Sequence, residues 1–251
     1  MSIEDFDVFV SCVKQLFYRI EEAHSRYIEL FYANRITREF HLVYKYRPYD
    51  DYYTDYDWTY DSDKVFPEWA KYDLEHKRPS NAGHVVANYK LWVAYKLLCL
   101  YFFNDESLLE YLYLKAREKA FEEKEFYNDY PQWRKEREDR YEEKFTIENY
   151  TRQYLKEVLA EDSGHGRLYR SPFYKIQTKQ LGDECRNGIW YQKIRYYIKP
   201  APNSIIRYVL CKCFGDSKSK SLKAVKEIDA KINAFLARKE KENDENRQTA
   251  S

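Results

Sequence analysis

The sequence predicts an α+β fold that is predominantly α-helical. Three observations carry that expectation. Six glycines and seven prolines in 251 residues are about half the usual density, and many Glu, Lys and Leu accompany them, which favours helices over a hairpin-rich β protein. Apolar residues recur at three- and four-residue steps over long stretches. After Gly166 the chain becomes rich in β-branched and aromatic residues, the composition of strands. Aromatic residues reach 18% of the chain, with 27 tyrosines, and such a composition argues against disorder.

Residues 3–34 read as one amphipathic helix, with Ile3, Phe6, Phe9, Val13, Leu16, Ile20, Tyr27 and Phe31 along its apolar stripe. Residues 39–46 alternate Phe40, Leu42, Tyr44 and Tyr46 against polar neighbours and read as a strand. A helix over 84–103 follows, then a second over 106–129 with Asp105 as N-cap. Residues 133–160 resume a charged helical pattern, and 161–167 form a loop with two glycines. Two strands are expected at 188–198 and 204–214, separated by the connector 199–203, as a hairpin or small sheet. A helix over 221–243 closes the chain, with Leu222, Val225, Ile228, Ile232, Phe235 and Leu236 on one face, and 244–251 is a frayed tail. The expected division is an acidic, Tyr-rich helical domain at 1–164 and a basic aromatic β element with its closing helix at 165–243.

The apolar stretch 85–103 has the length of a membrane helix. Lys96 near its middle costs roughly 2.5–3.5 kcal/mol on insertion, so a buried helix is expected, with membrane contact as the lesser alternative. The acidic start "MSIEDFDVF" lacks the positive region of a signal peptide and the character of a transit peptide. An intracellular setting, cytoplasm or nucleus, is therefore expected. The five cysteines form no framework spacing and read as free thiols.

Charge sums to +1 but is partitioned. Residues 1–164 carry 24 Lys+Arg and 33 Asp+Glu, a net of −9. Residues 165–226 carry 14 and 3, a net of +11. The basic segment interleaves cations with rings, from Arg167 through Tyr197 to Tyr208. Cations neutralise phosphates, and exposed rings stack on unpaired bases. On a strand, Lys193, Arg195 and Tyr197 share one face, and Trp190, Ile194 and Tyr196 the other. The expected contacts to phosphate are Arg167, Arg170, Lys193, Arg195 and Arg207, with Trp190 and Tyr197 stacking. The competing expectation is that these rings are core and the cations face solvent, pair with the acidic body or meet a protein partner.

A second candidate surface lies at 46–63, which holds six tyrosines, one tryptophan and six aspartates. Tyr49, Asp51, Tyr53, Asp55, Tyr56, Asp57 and Trp58 are its candidate protein-contact residues. The Asp-x-Asp pairs suggest a cation loop, but the stretch has no glycine for the tight turn such loops need. No metal and no cofactor is expected. The five histidines lack metal-ligand spacing, Cys211-x-Cys213 is too tight for a zinc knuckle, and no phosphate loop or nucleophile elbow occurs. The expectation is a non-enzymatic binding protein that contacts RNA, a single strand or another polyanion. The alternative is an accessory subunit of a larger assembly, using its Tyr-rich acidic surface.

Overall fold

The computed structural model describes residues 2–24, 27–34, 39–45, 57–59, 83–160 and 171–249. Among these residues the chain runs α1 (Ile3–His24), β1 (Tyr27–Asn34), β2 (Glu39–Lys45), β3 (Asp57–Thr59), α2 (Gly83–Phe103), α3 (Ser107–Asp129), α4 (Pro131–Tyr141), α5 (Ile147–Val158), β4 (Tyr174–Arg186), β5 (Ile189–Pro200), α6 (Ile205–Cys213) and α7 (Lys218–Thr249). The fold is α+β and predominantly helical, as the composition implies. Two compact units interleave in sequence: Met1–Asp105, Asp162–Pro172 and Pro202–Ile228 make the first, and Glu106–Glu161, Phe173–Ala201 and Asp229–Ser251 the second.

In the first unit, α1 packs against α2 and α6. Phe6, Phe9, Cys12, Val13 and Leu16 recur at helical steps and are buried. Phe9 meets Phe103 edge-on at 4.7 Å and Phe102 at 5.5 Å, an arrangement that places ring edges against ring faces. On α2, Val93, Ala94, Leu97, Leu98 and Leu100 are all buried, as befits a helix that is apolar around much of its girth. Among the described residues no helix is long and apolar enough to cross a membrane. Lys96 is accommodated by Asp105, 3.1 Å away. That contact corrects the expected cap: Asp105 answers Lys96, and the N-cap position of α3 is Glu106, with no side-chain capping bond. Asn104 at φ 57° turns the chain out of α2, a conformation Asn tolerates better than most residues.

The helix expected over 3–34 stops at His24, and 27–34 is a strand instead. It pairs antiparallel with β2, from Tyr27 opposite Lys45 to Asn34 opposite Glu39, while β3 pairs with β2 from Val43 opposite Thr59. Tyr and Phe fit either period, and the strand partner at 39–45 decides the matter. Asp57 and Trp58 lie on β3; Tyr49, Asp51, Tyr53, Asp55 and Tyr56 lie outside the described residues.

Residues 204–214 are a second correction: they form α6, not the strand partner of 188–198. Ile205, Ile206, Val209 and Leu210 are buried at helical spacing. The fully buried Ser204 caps the helix, its Oγ accepting from the Arg207 amide at 3.1 Å. The Ile205 and Ile206 amides donate to the Ser171 and Pro172 carbonyls, so donors left open by the first turn are satisfied.

In the second unit, α3 buries Leu108, Leu109, Leu112, Tyr113, Ala116 and Ala120, chiefly against α5. The helix expected over 133–160 is interrupted. Glu142 adopts the left-handed conformation at the end of α4, and the Thr146 hydroxyl accepts from the Asn149 amide at 3.0 Å to open α5. Pro131 takes the first position of α4, where its missing N–H costs no helical bond. Ile232, Phe235 and Leu236 of α7 complete this core, with Tyr113 edge-on to Phe235 at 6.0 Å.

Ser204→Ala should lower stability by about 1 kcal/mol, read by urea denaturation, whereas Ser204→Gly, a residue tolerated at an N-cap, should lose less. Equal losses in both variants would show that packing around the fully buried side chain, and not the cap, is what Ser204 supplies.

Candidate nucleic-acid interface

Residues 174–200 of the basic segment form a long two-stranded antiparallel ribbon. Asn187 and Gly188, at φ 52° and 79°, make its two-residue turn, the conformation that matches strand twist and that Asn-Gly favours. β4 and β5 then pair from Arg186 opposite Ile189 to Tyr174 opposite Pro200. At 3.4 Å per residue the ribbon is about 40 Å long. A bulge at Leu181, next to Gly182 at φ 131°, shifts the register once.

Its base is held in the core. Phe173 and Tyr174 are buried. The Tyr174 hydroxyl donates to Asp229, and the Lys156 ammonium lies 2.8 Å from Asn233 Oδ1 and 5.8 Å from the Tyr174 ring centroid. Burial pushes the Tyr174 phenol well above its ordinary range, and the neighbouring carboxylate adds to this. Burial also depresses the Lys156 ammonium, which must be desolvated to sit there.

The middle of β5 rests on α4. Tyr196 stacks on Tyr141 with centroids 5.7 Å apart, and Arg140 lies 5.5 Å from the Tyr196 ring. Arg195 ion-pairs with Glu142. Nearby, Glu138, Asp139, Glu142, Glu143 and Lys144 line a cleft of about 290 Å³ with Lys193 and Arg195. The Tyr141 hydroxyl donates to Glu157 at 2.6 Å, and burial with that carboxylate raises its pKa.

α4 is itself fixed by a buried cation. Arg137 is only 5% exposed. Its guanidinium lies 5.1 Å from the Phe145 and Tyr150 rings and 5.5 Å from Tyr141. One nitrogen donates to Gln153, while Nε and Nη1 have no hydrogen-bond partner among the described residues. Ring faces carry the negative lobe of the quadrupole and stand in for a carboxylate here.

Beyond its base the ribbon leaves the core. From Thr178 round the turn to Lys193, every residue except Glu184 is exposed. Trp190 is 72% exposed and Tyr191 50%. The register sorts the side chains by charge. Lys175, Lys179, Arg186, Lys193, Arg195 and Lys199 all fall on one face, with Tyr191 and Tyr197. The opposite face carries Ile176, Thr178, Trp190, Ile194, Tyr196 and Ile198. Lys175 stands directly opposite Lys199, and Lys179 opposite Arg195. Like charges in that relation destabilise a sheet. Part of the row is neutralised internally: Arg186 reaches Glu136 at 3.0 Å and Glu184 at 3.1 Å, and Arg195 reaches Glu142. Lys175, Lys179, Lys193 and Lys199 make no ion pair among the described residues; Lys199 lies over the Tyr197 ring at 5.5 Å.

The structure brings together Lys193, Arg195 and Tyr197 on one face, with Trp190 on the other, as the alternation predicts. Arg207 is not on the ribbon. That residue lies in the first turn of α6 in the first unit and donates to the Pro202 carbonyl at 2.6 Å. Arg167 and Arg170 lie outside the described residues. Lys175, Lys179, Arg186, Lys199 and Tyr191, which belong to the basic aromatic segment but were not among the expected contacts, join the face. Asn187-Gly188 was the signal for Lys175, Lys179 and Arg186, since it places β4 before the turn instead of after 199–203, while Tyr191 follows from the alternation of 188–198. Among the described residues no group of three or more His, Cys, Asp or Glu side chains is arranged to hold a metal ion. No family model, no curated protein and no solved structure matches the chain.

The buried phenols make stability sensitive to alkali. Tyr141, Tyr150 and Tyr174 all keep their protons above the ordinary tyrosine range, chiefly through burial. Above about pH 10 the unfolded chain releases these protons and the folded chain retains them, so the unfolded state binds fewer and stability falls as pH rises. Tyr174 alone should contribute a slope of about 0.7 kcal/mol per pH unit at pH 10 that rises toward about 1.4 above it, with smaller slopes from the partly solvated Tyr141 and Tyr150. Denaturant unfolding between pH 9 and 11 measures this, and Tyr174→Phe should flatten the dependence.

Proposed function

We propose that this protein is a non-enzymatic binding protein that holds single-stranded nucleic acid or structured RNA on the cationic face of the β4–β5 ribbon. The observation that carries this reading is the sorting of all six ribbon cations onto one face with two tyrosines, including two directly opposed like-charge pairs. Glu142 answers Arg195, and Glu136 and Glu184 answer Arg186. The opposed Lys175 and Lys199 make no ion pair among the described residues, and such a pair destabilises the sheet unless anions lie across it. Phosphates spread along a flexible strand supply such anions, and Tyr191 offers a ring for base stacking beside them. The ribbon's distal half supports the same reading, because a two-stranded hairpin without a core against it is marginal by itself. The five cysteines, all free thiols, agree with a reducing compartment, cytoplasm or nucleus.

Fluorescence anisotropy with a labelled single-stranded RNA tests the reading. Affinity should fall steeply with salt. Replacing Lys179, Lys193 and Lys199 together by Ala should reduce the slope of log affinity against log salt by about 2. Tyr191→Ala should cost about 1–3 kcal/mol of binding, and Trp190→Ala, on the other face, less. No retention of RNA at low salt would refute the proposal.

A second reading, an accessory subunit of a larger assembly, draws on one specific feature. Phe121, Phe126, Tyr130 and Trp133 of α3, α4 and their junction are exposed large apolar side chains. Such side chains are enriched at protein interfaces. On this reading the native protein co-purifies with a constant partner set that Trp133→Ala weakens, and RNA binding is absent.

A further inference from the structure

We propose that Cys12 and Cys213 are a modification site: an oxidisable thiol pair that a peroxide converts into a disulfide joining α1 to α6. The geometry comes from helix faces. Cys12 lies on the buried stripe of α1, between Phe9 and Val13, with no exposed surface. Cys213 ends α6 one turn after Val209 and so shares the face that carries the buried Ile206, Val209 and Leu210. α1 and α6 pack directly on each other. The two thiols meet in that interface and are hydrogen-bonded. They are 201 positions apart in sequence, so nothing in their spacing announces the pair.

The two sulfurs are inequivalent. Cys213 is only part-buried, and the hydrogen bond from Cys12 holds its thiol below the ordinary range. Cys12 is buried, and the same bond, with burial, pushes its thiol upward. A thiolate that peroxide can reach is the first to react, and the protonated neighbour is placed to resolve it. In the first step the Cys213 thiolate attacks one peroxide oxygen, the O–O bond breaks, hydroxide leaves, and Cys213 becomes a sulfenic acid. In the second, Cys12 loses its proton and its sulfur attacks the Cys213 sulfur, expelling the sulfenic oxygen as water. Two thiols and one hydrogen peroxide give one disulfide and two waters, and the two electrons go to the peroxide oxygens. The bridge closes nearly the whole chain into a loop, a class of constraint that disfavours the unfolded state. This site belongs to the first unit and is independent of the ribbon's cationic face.

The test uses the full-length protein, treated with graded hydrogen peroxide, quenched, alkylated under denaturing conditions and digested without reduction. Peptide mass mapping is expected to show Cys12 and Cys213 losing alkylation together and appearing as one cross-linked peptide pair that dithiothreitol separates. Cys12→Ser should leave Cys213 as a sulfenic acid trapped by dimedone, and Cys213→Ser should leave Cys12 reduced at the same dose. Three outcomes overturn the proposal: Cys213 carried to sulfinic acid while Cys12 remains alkylatable, a bridge from either residue to Cys99, Cys185 or Cys211 in its place, or both thiols intact at a dose that oxidises the exposed Cys185. The map of the unsubstituted protein decides the matter even where a variant fails to fold.

Discussion

The second unit depends on a cation placed where water is excluded. Arg137 carries its charge into the contact between α4 and α5 and meets rings instead of a carboxylate. Phe145 and Tyr150 come from the segment after the helix break, and Tyr141 from α4 itself, so one guanidinium ties both sides of the break together. A buried charge is costly unless it is compensated, and three ring faces with one amide oxygen supply that compensation. The consequence reaches further along the chain. The end of α4 that Arg137 fixes also presents Tyr141 to Tyr196 and Glu142 to Arg195. The aim of the ribbon therefore rests on a side chain well away from its tip.

That dependence explains how a 40 Å hairpin holds its register with so little core behind it. Tyr174 is anchored at the base by burial and by Asp229, and Tyr196 is stacked midway. Past those two points the ribbon has its ladder, its turn and the Arg186–Glu136 ion pair to α4. The acidic side chains at the end of α4 take up Arg195 and border Lys193 in the same cleft, while Glu136 and Glu184 take up Arg186. Basic and acidic parts of the chain do pair, and among the described residues the carboxylates that answer the ribbon's arginines come from α4, its end and the ribbon itself. The lysines left over give the face its proposed role.

Legibility in the sequence varied with the kind of signal. The helix at 83–103 was readable because its apolar run is long and its lysine argued against a membrane, and the buried residues on α2 answer to the same run. The ribbon's face alternation was readable from Lys193, Arg195 and Tyr197, because side-chain direction on a strand follows from position alone. Its partner was not. Ile205, Ile206, Val209 and Leu210 are β-branched or aliphatic and suit a strand in isolation, yet a capping serine and two carbonyl acceptors at 171–172 make them a helix. Tyr27 to Asn34 was misread in the other direction, since the strand pairing that defines it lies across the chain at 39–45. The Arg137 cage and the Cys12–Cys213 contact left no pattern at all, because each joins residues whose proximity depends on helix packing.

The sequence by itself determined the class of the fold, the helices α2 and α3, the concentration of positive charge after residue 165 and the two-faced character of β5. These follow from composition and periodicity, which are properties of local chain geometry. Helix α1 ends earlier than its pattern suggested, and α7 runs on to Thr249, through the tail expected to fray. Only the tertiary structure decided which strand pairs with β5, which carboxylates neutralise which cations, and which thiols touch. Those outcomes depend on contacts between residues far apart in sequence, where the free energy is set by what each surface meets on folding and not by its own pattern.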